Sequence, residues 1–310
     1  MTGYEAVRRV VEEVKKAVVG KDEIIMQVMA AIIADGHVLI DDIPGVGKTT
    51  MALAFAKSMS LNYNRVQFTP DVLPSDVTGF TMLNKQTNEF EYKQGAVMCN
   101  LFLADEINRT SSKTQSALLE AMEEKTVTVD SVTHPLPTPF NVIATQNPVG
   151  SVGTHMLPDS QLDRFMFCVS MGYPDTENEV MMLKGKYRNN PLDNVHPVID
   201  GMGLEIIKQE VAKVYLSDEI YEYIAGIAAL SRNMPEISLG ISPRGSVAMV
   251  KAAQASAYIE ERNYVVPDDI KKIIYPCVRH RIFLSARARA AKTSMEYVVE
   301  KMINEQNTNF

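Results

Sequence analysis

An apolar run that turns through glycines into a lysine-bearing helix constrains this chain more than any other feature. "GHVLIDD" (36–42) reads as a short buried strand, "IPGVGKTT" (43–50) as a turn, and "TTMALAFAKSMS" (49–60) as a helix. A turn of that kind bares backbone N–H groups at a helix N-terminus, which is where a phosphate is bound. Gly47-Lys48-Thr49 supplies the end of the pattern G-x-x-x-x-G-K-[ST], but its first glycine is replaced by Asp42. In the phosphate reading, Pro44, Gly45, Val46, Gly47, Lys48, Thr49 and Thr50 form the cradle. Lys48 bridges the β- and γ-phosphates, and Thr49 gives its hydroxyl to Mg²⁺. The competing reading is a glycine turn with a solvated lysine.

The rest of the chain bears on that choice through its layout. "NRVQFT" (64–69), "NLFLADE" (100–106), "FNVIATQN" (140–147) and "RFMFCVSM" (164–171) are further buried-strand candidates, separated by helical patterns. Alternation of this kind predicts an α/β fold with a parallel sheet and helices on both faces. Two polar-tipped stretches, 79–95 and 125–140, read as inserted β-hairpins. After "GYPDTENE" (172–179) strand signals stop, and 176–187, 203–215, 217–233, 243–261, 266–280 and 285–305 read as helices. Ser217 suits an N-cap, and Pro267 a first helical turn. The expected organisation is an α/β nucleotide-binding domain over 1–175, a linker helix and loop over 176–203, and a smaller all-helical domain over 204–310.

Composition narrows the class without deciding it. The 310 residues are 46% apolar and 22% charged, as in an ordinary globular protein. A formal charge of −7 argues weakly against non-specific wrapping of duplex DNA. Cys99, Cys168 and Cys277 form no C-x-x-C pair and sit in apolar runs, so they read as buried reduced thiols of a cytosolic protein. The five histidines show no ligand spacing. The N-terminus carries charges where a signal peptide has its apolar core, and Val7, Val10, Val11, Val14 and Val18 follow a helical stripe instead. No apolar run approaches the ~18 residues of a membrane span. The expectation is a cytoplasmic protein with no direct membrane insertion.

A second motif strengthens the phosphate reading. "NLFLADE" is an apolar strand ending in two carboxylates, the form of a Walker B segment. Asp105 would hold the Mg²⁺ shell, and Glu106 would orient and polarise an attacking water. Asn147, just past "FNVIATQ", falls where the carboxyl edge of a parallel sheet meets a ligand. It is either a hydrogen-bonding partner of γ-phosphate or water, or turn chemistry in Asn-Pro. Ser112 with Gln115 fits a capping box for the helix that follows.

"HVLIDDIPGVGKTT", "LADEINRTSSKTQSALLEAMEEKTVTV" (103–129), "VIATQNP" (142–148), "LPDSQLDRF" (157–165), "GYP" (172–174) and "ISPRG" (241–245) stand in order. Together they resemble the MoxR family of AAA+ ATPases, over roughly residues 5–300. The resemblance implies an AAA+ P-loop core with a helical lid, ATP and Mg²⁺ as ligands, and Asp42 as a family variant of the loop. It makes Arg164 an arginine finger for a neighbouring subunit, and Asn147 the sensor 1 residue. Arg244 becomes sensor 2, folding back onto the γ-phosphate. Val19 and Gly20, with Lys21, become the segment that passes the adenine, against the plainer reading of a helix-ending glycine. Arg109 either serves a subunit interface or positions the following helix. Phe80, Phe90 and Tyr92 on the hairpins either grip a polypeptide or pack one hairpin on the other.

The implied activity is ATP hydrolysis in an oligomeric ring, a hexamer in the family, that remodels or matures protein partners as a chaperone does. Such partners often carry a von Willebrand factor A domain. The alternative is a nucleic-acid-dependent motor related to helicases. That class wants basic hairpin tips, and "DSVTHPLP" has no lysine or arginine while "NKQTNE" has one lysine against one glutamate. A nucleotide switch without turnover would be expected to lack Glu106 or Arg164.

Overall fold

A computed structural model describes residues 1–43, 45–147, 157–186 and 190–307. The first helix, α1 (Gly3–Ala17), begins because Thr2 and Glu5 close a reciprocal capping box, and it buries Val7, Val10, Val11 and Val14 on one stripe. Helix α2 (Asp22–Ile33) buries an unbroken run from Val28 to Ile33, since it is enclosed between α1 and the later helices. Then come β1 (Val38–Asp41), α3 (Lys48–Ser58), β2 (Tyr63–Gln67) and α4 (Pro74–Thr78). The first hairpin is β3 (Gly79–Asn84) with β4 (Glu89–Gln94). Next are β5 (Leu101–Asp105), α5 (Ser112–Glu124), the second hairpin β6 (Thr126–Val129) and β7 (Val132–Pro135), and β8 (Asn141–Gln146). A short α6 (Asp159–Leu162) leads to β9 (Phe167–Val169).

Five strands form one parallel sheet in the order β2-β5-β8-β1-β9. Alternate residues feed two cores. Val38, Ile40, Leu101, Leu103 and Ile143 face α1, α2 and α3, while Leu39, Phe102, Ala104, Val142 and Ala144 face α5 and the hairpins. Strands covered on both sides need continuous apolar runs, which is why β5 and β8 read that way. The order places β8 between β1 and β5, so the end of β8 lies between the glycine loop and the Asp-Glu pair.

The remainder is mainly helical: α7 (Thr176–Lys186), α8 (Gly201–Val211), α9 (Asp218–Asn233), α10 (Pro243–Ile259), α11 (Pro267–Val278), α12 (Ala286–Ala290) and α13 (Met295–Asn307). Strand signals do not stop altogether, however. β10 (Ile237–Leu239) and β11 (Phe283–Leu284) pair antiparallel, two pieces too short to show a period. The run 285–305 is two helices rather than one, because Lys292 takes a left-handed turn (φ 55°) and Ser294 accepts from Tyr297 N to restart the chain. Helix α11 does start at Pro267. Ser217 occupies the N-cap of α9 without a side-chain capping bond.

These helices are fastened to the sheet. Helix α10 packs on α2 and α11 on β9. Lys208 of α8, itself buried, reaches Asp35 (2.8 Å) and Asn141 Oδ1 (3.0 Å) beneath the sheet. All three cysteines are free and buried, and burial pushes the Cys99 and Cys168 thiols up to about 12. No helix among the described residues is long and apolar enough to cross a membrane.

Candidate functional site

At the carboxyl edge of the sheet, β1 passes through the glycine turn into α3. Gly45 (φ 87°) and Gly47 (φ 97°) both take left-handed conformations that only glycine adopts cheaply. A Cβ on Gly45 would meet no atom within 4 Å among the described residues, so this side of the turn faces open space. Lys48, Thr49 and Thr50 form the first turn of α3, after Val46 and the N-cap Gly47. Pro44 lies outside the described residues, as does Pro148 of the Asn-Pro pair. Lys48 is buried and donates to the Asp42 carbonyl (2.6 Å). Burial draws its pKa down, against the pull of Asp42, Asp105, Asp41 and Glu106.

Asp42, standing where the loop pattern has glycine, is 6% exposed. Its Oδ1 accepts from Ile43 N (2.7 Å), and its Oδ2 accepts from Gly172 N (2.6 Å) and Ser170 Oγ (3.1 Å). The carboxylate therefore fastens the start of the loop to the segment leaving β9. Nearby, Val19 and Gly20 turn between α1 and α2. Gly20 is left-handed (φ 71°), and a Cβ there would stand 2.3 Å from the Asn178 amide of α7. Lys21 donates to the carbonyls of Tyr173 (3.0 Å) and Met171. Residues 19–21 thus lie on the chain that follows the carboxyl end of β9.

The two carboxylates after β5 are already engaged. Asp105 Oδ1 accepts from Thr145 Oγ1 (2.7 Å), and Oδ2 accepts from Arg65 Nη2 (2.6 Å) and Nε (3.2 Å). Oδ1, with its single partner, has capacity for a further one, as a metal shell requires. Glu106 takes a left-handed conformation (φ 56°, ψ 47°), a strain that side-chain-bearing residues seldom bear outside constrained sites. Its Oε2 accepts from Arg109 Nη1 (2.8 Å) and its Oε1 from Asn147 Nδ2 (2.9 Å). Burial pushes the Glu106 carboxyl up, but hydrogen bonds from Arg109 and Asn147 prevail and hold it below the usual range. Asn147 is fixed by exchange with Asn108, and its Oδ1 is buried with no partner among the described residues. An orphan acceptor beside a carboxylate suits a water molecule that donates to both.

Arg164, which the resemblance assigned to a neighbour's nucleotide, and Arg244, which it assigned to the γ-phosphate, come together away from the glycine loop. Arg164 and Arg244 both pair with Glu123, Arg164 Nη1 at 2.6 Å, at the C-terminal end of α5. The neighbouring Met122 carbonyl accepts from His37 Nε2 (3.1 Å), and His37 precedes β1. The pair therefore occupies the amino edge of the sheet, separated from Lys48 by the length of β1, about 13 Å. Here Arg244 pairs with Glu123, whereas the resemblance makes it a sensor 2 that folds back onto the γ-phosphate. The reason is where α10 sits: Ser242 at its N-cap donates to Asp163 (2.8 Å), and buried Arg281 grips Asp163 Oδ1 (2.8 Å) and the Phe165 carbonyl (2.6 Å).

Arg65, Gln67, Asn108 and Thr145 were missed from the sequence. Arg65 and Gln67 share one face of β2, as residues two apart must, and Gln67 accepts from Arg65 (3.2 Å) beside Asp105. Two polar residues at period two in a strand beside a Walker B strand were the available signal. Asn108 and Thr145 carried none, because their roles depend on which strands are neighbours.

A strand-loop-helix cradle, an acidic pair two strands away and an asparagine between them define a P-loop ATPase core of the AAA class. The model for the ATPase family associated with various cellular activities (AAA) matches residues 37–167, and that for the AAA lid domain matches 229–302. Uncharacterized protein YeaC of Bacillus subtilis is 48% identical over 96% of this chain and 92% of its own length. Chaperone MoxR1 of Mycobacterium tuberculosis is 34% identical over 95% of this chain and 80% of its own. A crystal structure of a Cytophaga hutchinsonii protein provisionally described as an ATPase superposes with a TM-score of 0.90 at 37% identity, covering 97% and 94% of the two chains. The chain belongs to the MoxR family of AAA+ ATPases.

Proposed function

We propose that this protein binds ATP with Mg²⁺ at the carboxyl edge and hydrolyses it in a ring, using the energy to remodel protein partners as a chaperone does. One observation carries this reading: the phosphate cradle and the arginine pair lie on opposite edges of one sheet. Gly45, Gly47, Lys48 and Thr49, with Pro44, Val46 and Thr50, would hold the phosphates. Thr49 and Asp105 would hold the metal, which would neutralise phosphate charge. Glu106 and Asn147 would orient the water, while Val19 and Gly20 would line the adenine. A subunit with complementary halves on opposite edges is completed by a second copy set head to tail, and such contacts form a ring when the rotation between copies closes. Arg164 and Arg244 would then both reach a neighbour's nucleotide.

We divide the chain into the nucleotide-binding domain 1–175, the linker 176–203 and the lid 204–310, with the lid carrying Arg244 to the interface. The protein-directed part rests on kinship with Chaperone MoxR1 and on hairpin tips without a basic cluster. Apolar Phe90, next to the turn of the first hairpin, is offered there instead (77% exposed). Six subunits and a partner with a von Willebrand factor A domain are the assembly that the family resemblance suggests.

The test is complementation. Lys48→Ala lacks a working cradle but retains both arginines, and Arg164→Ala is the converse. Each alone should hydrolyse MgATP at least ~10³-fold more slowly than the parent protein, the scale of an arginine finger. Mixed together they should recover part of the activity, because some interfaces then hold one intact half from each. An inactive mixture would refute action across subunits, and full activity of Lys48→Ala would refute the cradle. The same mixing with Arg244→Ala decides whether sensor 2 also acts across the interface.

A further inference from the structure

Arg164 comes from the core segment before β9 and Arg244 from the first turn of α10, yet one carboxylate, Glu123, takes both. Oε2 accepts from Arg164 Nη1 at 2.6 Å, and Oε1 accepts from Arg244 Nη2. Arg164 also donates to the Leu119 carbonyl (2.7 Å). His37, Met122, Glu123, Arg164 and Arg244 line a cavity of about 80 Å³ at this point. The three charged side chains are between 30% and 43% exposed, so the cluster is open to an incoming group. Two guanidinium groups sharing two oxygens of one anion is also the way such groups hold a terminal phosphate.

We propose that Glu123 is a built-in competitor for the neighbour's nucleotide: its carboxylate holds the arginine pair where the phosphate would, and must be displaced before the interface becomes active. The inference rests on the reading that the two arginines act across subunits. Glu123 follows Met122, whose carbonyl is tied to His37, and lies at the end of a 13-residue helix, so its backbone is fixed while its side chain can swing outward. Arg281 and Ser242 meanwhile hold Asp163, the residue before Arg164, from the lid side. The arginines therefore keep their place when the carboxylate leaves. An isolated subunit has its finger neutralised, and only a phosphate presented by a second copy outcompetes the clasp.

Glu123→Gln keeps the shape and removes the charge. In a Lys48→Ala background, which takes away the subunit's own cradle, inorganic pyrophosphate is titrated while the guanidinium NMR signals of Arg164 and Arg244 are followed. Loss of two partly exposed ion pairs should tighten pyrophosphate binding about fivefold or more, and adding Arg164→Ala should abolish that gain. Unchanged or weaker binding would overturn the proposal. With Lys48 intact, Glu123→Gln should also lower the protein concentration at which the hydrolysis rate per subunit is half-maximal. A higher midpoint would mean that Glu123 positions the arginines instead of competing for them, which equally overturns it. The pyrophosphate titration needs neither a ring nor turnover, so its result is separable from failure of the complementation test.

Discussion

Asp42 is the residue that looked like damage to the phosphate loop, and its surroundings give it another task. Its carboxylate satisfies Ile43 N, Gly172 N and Ser170 Oγ within a buried pocket. Restoring the glycine of the common pattern by Asp42→Gly should therefore lower stability, by about 2–4 kcal/mol, because buried donors lose their acceptor. Urea denaturation checks this, and a gain in stability would contradict the fastening role. Glu106 is the opposite case, a residue held under backbone strain beside Asn147 and Arg109. Glu106→Gln should leave ATP binding intact and slow hydrolysis ~10²–10⁴-fold, the range of a general base. Undiminished turnover in single-turnover kinetics would remove Glu106 from that role.

At the scale of elements, the two hairpins answer the question their aromatic residues raised, and they divide the answer. Tyr92 of β4 stacks on His134 of β7 with ring centroids 3.8 Å apart, and its hydroxyl donates to the Thr78 carbonyl (2.5 Å). Phe90, two residues nearer the turn, is 77% exposed. Tyr92→Ala should cost about 2 kcal/mol, combining an aromatic pair with a hydrogen bond. Phe90→Ser should stay within about 0.5 kcal/mol of the parent, as surface changes do. Equal losses in thermal denaturation would show that both pack. The elements legible in the sequence were those with a local signature: the buried strands as apolar runs, the hairpins as polar-tipped stretches and the long helices as amphipathic stripes. The cap of α5 was misplaced by one residue, because Ser111 rather than Ser112 accepts from Thr114 N, while Gln115 turns to the Ile107 and Thr110 carbonyls. Local patterns specify that a helix begins; the choice between adjacent serines is made by tertiary partners. The site residues divided in the same way. Lys48, Asp105 and Glu106 declare themselves by motif, whereas the company of Arg244 is set by how α10 docks, which no local pattern records.

Across the whole molecule, two buried histidines tie the amino edge together and make it sensitive to acid. His37 Nδ1 accepts from Val142 N (3.0 Å), so Nε2 carries the proton given to the Met122 carbonyl. His280, at the end of α11, gives its Nε2 proton to the Phe165 carbonyl (2.9 Å). One histidine thus braces the residue before Glu123 and the other the residue after Arg164. Burial lowers the pKa of both. For His37 it falls from an ordinary value near 6.5 to about 4, with Asp35 opposing the shift and Lys208 and Lys125 adding to it. A group whose folded pKa is depressed binds its proton first in the unfolded chain. The stability it permits is therefore complete above pH 6.5, falls as pH drops, and levels out below about 4. Between pH 7 and pH 5 His37 alone should account for a loss of about 2 kcal/mol, at most ~1.4 kcal/mol per pH unit. In His37→Gln, where nothing titrates at this position, the loss over the same interval should be smaller by that amount. Urea midpoints of both proteins at the two pH values decide it. Parallel losses would mean that His37 takes up its proton as readily in the folded protein as in the unfolded chain.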